Sequence, residues 1–384
     1  MPCVRRESCS VMKRIKIGYL SWHPAPYRDA FINCILRRAE FDVKIFTAKV
    51  SGDEHTFDMP NYPTEILMPL RKSTLGVLYR MLRRIVFGGF DYTFWPGFMS
   101  WPVIVCQVVC AVLGKRYVFC TDCVEERKGS FLRGWLRRYI VKHAHSVLVG
   151  GNAGRDFFIR EYNVPFAHII DGVYSLDGDV LEKTIADLRL NRKEIRAQYC
   201  LTESNIVYLM VANMTPNRCY KVTLEGFAKF SSRHPECRFV ACGTGPELEK
   251  IQELAQTHKS IIVIPGVPFD KMLELYAMAD VYVHGGKEPA STALQIGAIS
   301  RLPLISSKAV GLAWDVLVDR ESGVAVLDYQ DATQWESGFE KMWDSQYEWG
   351  KWGARARALS RKLDAAMVAR NFITHFANVE NGIQ

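Results

Sequence analysis

The sequence has no apolar run long enough to cross a bilayer as a helix. The longest, Val103 to Leu113, is interrupted by Gln107 and falls short of the ~20 residues that a span needs. The first residues, Met-Pro-Cys-Val-Arg-Arg-Glu-Ser-Cys-Ser-Val, hold no apolar core of a signal peptide. Residues 1–13 are expected to form a flexible extension, with Met12 as an alternative start. The 11 cysteines lack framework spacing, and Cys106, Cys110 and Cys242 sit inside apolar segments. Scattered, buried thiols of this kind belong to a reducing, cytoplasmic setting. Cys120-Thr-Asp-Cys123 has redox spacing, but it closes a strand and no second ligand pair lies nearby, so neither a redox nor a metal role is expected. Internal repeats, low-complexity segments and nucleic-acid motifs are missing as well, and no nucleic-acid partner is expected.

What the chain does contain is the material of a soluble α/β protein. Its 384 residues suffice for two domains, and 48% hydrophobic with 23% charged residues is globular composition. The net charge of +8 is concentrated in the first half. Leu75 to Phe87 and Phe131 to Lys142 alternate basic with apolar or aromatic residues at helical spacing. Two readings are open: helices lying on an anionic membrane surface, or helices with a core-facing stripe and a solvated basic back.

Short apolar strands alternate with helical segments along the whole chain. Strands are expected at 14–20, 41–47, 92–95, 117–120 and 146–150, with helices at 29–38 and 152–161. After the turn-rich stretch Asp171 to Asp179 comes a charged helix, Leu181 to Tyr199, and then strands at 206–212, 238–243, 261–264, 281–284, 302–306 and 324–327. A last helix covers 364–377. This alternation predicts two doubly wound, Rossmann-like domains in tandem, with ligands at the cleft between their strand ends. The first is expected at 14–175 and the second at 176–360, with residues 361–384 packing back on the first.

The most informative stretch is His284-Gly-Gly-Lys-Glu288-Pro-Ala-Ser-Thr-Ala-Leu-Gln-Ile296, between the strand Ala279 to His284 and the strand Leu302 to Ser306. A carboxylate at a strand end offers acceptors to sugar hydroxyls, and the adjoining helix start offers N–H groups to phosphate. The stretch resembles the nucleotide-sugar motif of retaining glycosyltransferases of family 4, which have the GT-B fold. That family carries two glutamates eight positions apart; here they are Glu288 and Ile296.

The resemblance assigns the donor site residue by residue. Family members have Gly-Arg-Leu and then Glu-Lys-Gly after the first strand of the second domain, with Arg and Lys on the donor diphosphate. Here Asn213 and Arg218 stand at those positions, and Lys221 lies close by. Gly243-Thr-Gly245-Pro matches a Gly-x-Gly-Pro turn, and Val267 lies in the segment that follows the base. Glu288 is expected to face the transferred sugar. Ile296 replaces the ribose-binding glutamate, which leaves that contact to Gln295, the backbone or water. Ser291 and Thr292 either cap the helix or bind phosphate through their hydroxyl and N–H groups. On the acceptor side the candidates are His23, Tyr27 and Arg28 after the first strand. Asp122 is a candidate acceptor contact or base, alongside Glu288 and His23 as catalytic residues. Asp177-Gly-Asp179 looks like a metal-binding pair but lies in the linker, and no metal or other cofactor is expected.

The function so implied is retaining transfer of a sugar from a nucleoside-diphosphate donor to a glycan or lipid-linked acceptor. It would take place in the cytoplasm, or peripherally at a membrane. Asn213 and Ile296 keep two alternatives open: an inactive GT-B partner or scaffold, and a nucleotide-sugar epimerase or hydrolase.

Overall fold

The computed structural model describes residues 14–22, 26–48, 62–67, 74–125, 130–173 and 175–380; the expected extension at 1–13 lies outside them. Among these residues seven strands form a first sheet: β1 (Ile15–Ser21), β2 (Phe41–Thr47), β3 (Thr64–Ile66), β4 (Tyr92–Pro96), β5 (Tyr117–Cys120), β6 (Ser146–Val149) and β7 (Ile169–Asp171). Their order is β3-β2-β1-β4-β5-β6-β7. The second sheet contains β8 (Ile206–Val211), β9 (Cys237–Cys242), β10 (Ile261–Ile264), β11 (Val281–His284), β12 (Leu304–Ser307) and β13 (Gly323–Val326), in the order β10-β9-β8-β11-β12-β13. In both, the chain winds outward from its first strand, returns, and continues on the other side. That reversal defines a doubly wound α/β sheet. Contacts divide the chain into two compact units, residues 1–121 with 129–147 and residues 122–128 with 148–384.

The expected strands form because parallel strands covered on both faces need continuous apolar runs. In β8 every residue from Val207 to Val211 is buried. Beneath it, Phe339 meets Tyr208 and Phe227 edge-to-face at 5.5 and 5.2 Å between ring centres, the geometry that aromatic quadrupoles favour. The register pairs Val211 with Cys242 and His284 with Ser306, so the strands of the second sheet finish along one edge.

Three expectations are corrected. β3 and β7 are additional strands of three residues each, too short to carry a period. The segment expected as one helix from Leu181 to Tyr199 is two, Gly178–Arg189 and Arg192–Ala197. At the break the chain turns so that Arg196 reaches the Met278 carbonyl at 2.9 Å and Asp280 at 2.7 Å; this buried anchor outweighs helix continuity. The basic segment at 74–86 is α-helical to Met81 and π-helical over Leu82–Val86.

The last helix, Ala365–Glu380, begins where Ala365 N donates to the Leu176 carbonyl at 2.9 Å. Just before it, Arg357, only 1% exposed, bonds Asp179 at 3.0 Å, Glu182 at 2.7 Å and Asp364 at 2.9 Å. Asp177 accepts from Val180 N at 3.2 Å as the cap of the helix Gly178–Arg189. The two aspartates of Asp177-Gly-Asp179 therefore serve a helix cap and a buried arginine.

Candidate active site

β8 and β11 are neighbours at the point where the order of the second sheet reverses, and the loops leaving them flank the crevice in which such sheets take ligands. The β8 loop closes in a 3-10 turn, Pro216–Arg218. Cys219 then turns left-handed at φ 51° to start the helix Tyr220–Ser231. Tyr220 donates to the carbonyls of Ala212 at 3.1 Å or Cys242 at 3.0 Å, holding the ends of β8 and β9 together.

The β11 loop lies directly on this turn. Lys287 N donates to the Asn217 carbonyl at 2.8 Å. Gly286 has φ +75°, and a Cβ there would sit 1.9 Å from that same carbonyl oxygen. Only glycine lets the two loops approach so closely.

This approach delivers Arg218 to Glu288. The guanidinium Nη1 pairs with Glu288 Oε2, and His284 Nε2 pairs with Oε1. Glu288 is 7% exposed, and its main chain is pinned by Gly311 N at 2.8 Å. Behind His284, Nδ1 lies 3.1 Å from the Tyr282 hydroxyl, which also donates to the Val211 carbonyl at 3.2 Å. Burial raises the Glu288 pKa, but the charges and hydrogen bonds of His284 and Arg218 outweigh it and hold the carboxyl below its ordinary 4.5. Arg218 Nε is buried without an acceptor. A planar fork with an unused donor suits an anion presenting more than one oxygen.

The remaining donor-side candidates lie on the loops and helices that follow β8, β9, β10 and β11. Asn213 accepts from Thr215 N through its carbonyl at 2.9 Å. Lys221, on the first turn of the following helix, is largely exposed with Glu225 3.8 Å from its ammonium. Gly243 and Gly245 follow β9. A Cβ on Gly245 would stand 2.5 Å from the Met214 carbonyl oxygen, and its φ is +149°. Val267 is half-buried after β10. Ser291 caps the helix Thr292–Ile299 by accepting from Leu294 N at 3.1 Å. Ile296 is 2% exposed, packed in the apolar interior. Gln295 is buried too; its Nε2 donates to the Leu363 carbonyl at 3.3 Å, and its Oε1 has no partner.

Of the acceptor-side candidates, His23 lies outside the described residues, and of Tyr27 only the backbone, in the helix Pro26–Leu36, is described. Arg28 is half-buried beside Asp29, whose carboxylate accepts from Tyr62 at 2.8 Å. Burial raises the Asp29 pKa against that hydrogen bond. Asp122 is half-buried, close enough to Gly150 that a Cβ there would lie 3.9 Å from its own.

His284 and Tyr282 carry no role in the sequence reading, although a histidine closing an apolar strand four residues before a glutamate is a usable signal. Among the described residues no cluster of His, Cys, Asp and Glu could hold a metal ion.

Residues 191–359 match the family model "Glycosyl transferases group 1". The GPI3 subunit of phosphatidylinositol N-acetylglucosaminyltransferase from Saccharomyces cerevisiae is 24% identical over 119 residues, 30% of this chain and 26% of that protein. Alpha-D-kanosaminyltransferase from Streptomyces kanamyceticus is 26% identical over 162 residues, 42% of this chain and 41% of that one. The match thus spans about a quarter of the GPI3 subunit and under half of the second relative. Anabaena Alr3699/HepE, solved in complex with UDP and glucose, superposes with a TM-score of 0.71 at 13% identity, over 95% of this chain and 100% of that one. The fold is GT-B, and the chain is glycosyltransferase-like over its second half.

Proposed function

We propose that the protein is a glycosyltransferase that moves a sugar from a nucleoside-diphosphate donor to an acceptor hydroxyl, with retention at the anomeric carbon. The observation that carries this reading is the pairing of Arg218 with Glu288 at the strand-order reversal, inside the stretch that matches the glycosyltransferase model. A nucleotide donor suits the UDP found with the Anabaena neighbour.

The mechanism follows from the charges. The diphosphate takes the Arg218 fork, including the unused Nε, and meets the N–H groups at the start of the helix Thr292–Ile299. Glu288 Oε2 is thereby released to the hydroxyls of the donor sugar, while His284 keeps Oε1 in place. The bond from the anomeric carbon to the phosphate oxygen breaks, and the acceptor oxygen adds on the same face. The acceptor proton passes to the departing phosphate oxygen. Charge on the diphosphate is stabilised by Arg218, with Lys221 in reserve. His23, Tyr27, Arg28 and Asp122 are assigned to the acceptor, a glycan or lipid-linked glycan.

A second reading, a GT-B-fold partner without transfer activity, is favoured by Ile296, whose burial removes the ribose contact that the family makes at that position. Calorimetry over a panel of nucleoside-diphosphate sugars, followed by detection of transferred sugar, separates the two. Donor binding with transfer supports the enzyme; absence of transfer with every donor and acceptor tried sinks it.

A further inference from the structure

We infer that one helical face of the first unit is a docking surface for an anionic membrane. Three segments build it: the helix Thr74–Met81 with its continuation Leu82–Val86, the helix Trp101–Val112 and the helix Phe131–His143. They link β3 to β4, β4 to β5 and β5 to β6, crossovers that all run in one direction across the sheet. Right-handed crossovers in one direction place all three on the same face, and the outer two each pack against the middle one.

The outward side of this layer is not dressed for water. Phe131 is 91% exposed, Leu132 71%, Leu75 69% and Val112 68%. Tyr79 and Trp135 are exposed beside them. Every charged side chain within 74–87, 99–116 and 130–143 is Arg or Lys; neither Asp nor Glu occurs there. Arg83, Arg84, Arg133 and Arg138 are exposed, and Arg84 is bound by Glu65 of β3 at 2.8 and 3.0 Å.

Large apolar groups set among one sign of charge fit a surface with a hydrocarbon interior and an anionic rim. The aromatic residues suit the headgroup level, and the basic ones the phosphates. A second copy of this chain would bring the same positive face and be repelled. A nucleic acid would use the arginines but would leave Leu75, Val112 and Leu132 with nothing to stack on. The proposal does not depend on sugar transfer.

The test sediments the full-length protein with phosphatidylcholine vesicles, and with vesicles in which about a quarter of the lipid is phosphatidylglycerol. The protein is expected to pellet only with the anionic vesicles and to be released as salt rises. Phe131→Ser with Leu132→Ser, and separately Arg133→Ser with Arg138→Ser, should each weaken binding at least about tenfold. Their melting temperatures should stay unchanged, because the side chains are exposed. Protein left in the supernatant with anionic vesicles overturns the proposal, as does wild-type binding by both variants. So does a wild-type dimer, seen by light scattering, that Phe131→Ser with Leu132→Ser splits. Oligonucleotide binding in place of lipid binding also rejects it.

Discussion

Arg218 and Glu288, 70 residues apart in sequence, form an ion pair between the two loops that leave β8 and β11. His284 holds the other carboxylate oxygen, so the site keeps one anion of its own against the cation that a diphosphate would need. Donor binding then becomes an exchange, with diphosphate replacing carboxylate on Arg218.

Arg218→Ala should weaken binding of a nucleoside diphosphate by about 1.5–3 kcal/mol, the worth of a hydrogen bond to a charged group. It should also lower the melting temperature, because Glu288 would stay buried with His284 alone. Titration calorimetry checks the first effect, and unchanged affinity would remove Arg218 from the donor site.

Glu288→Gln should cut sugar transfer strongly without weakening the free nucleoside diphosphate, which carries no sugar. Because the neutral amide gives up its hold on Arg218, diphosphate affinity should stay level or tighten. Transfer at the wild-type rate would show that Glu288 does not touch the sugar.

Ile296→Glu should destabilise the fold, by about 3–5 kcal/mol for an uncompensated buried charge, and should not restore a ribose contact. Ile296→Val should cost only about 0.5–1.5 kcal/mol. Urea melts measure both, and a stable Ile296→Glu protein that binds nucleotide more tightly would place this side chain in the cleft instead.

Stability should fall on the acid side in two steps of the same sign. Burial, helped by the nearby His168, depresses His375 from 6.5 to about 4. The unfolded chain therefore binds that proton first, and stability declines as pH falls from 6.5 to about 4. The Glu288 carboxyl is held below 4.5, so its contribution is present above that value and is lost as pH falls further. Urea melts at stepped pH should show His375→Gln flattening the upper step and Glu288→Gln the lower. Profiles parallel to wild type would contradict the assignment.

Transfer should persist in the presence of EDTA, because Asp177 is spent on a helix cap and Asp179 on Arg357. Loss of activity with rescue by manganese or magnesium would reverse this expectation.

Much of the architecture was legible from local pattern. Runs such as Ile206-Val-Tyr-Leu-Met-Val and Val281-Tyr-Val-His read as strands buried on both faces, and their alternation with helices implied doubly wound sheets. β3 and β7 escaped because three residues carry no period. The split of 181–199 escaped because its cause, the docking of Arg196 on Met278 and Asp280, lies more than 80 residues away.

By itself the sequence determined most of the strands, the strand-to-helix turns and the helix that follows Glu288, because each depends on neighbours within one turn or one strand. Only the tertiary structure decided how those pieces act together. It joined Arg218 to Glu288 between the neighbouring loops that leave β8 and β11, through the clearance that Gly286 provides, placed His284 behind the carboxylate, and turned Ile296 inward. For that last residue the helix Thr292–Ile299 offered no guide: Leu294 to Ile299 are buried all round, and a helix apolar on every side does not announce which face meets the ligand.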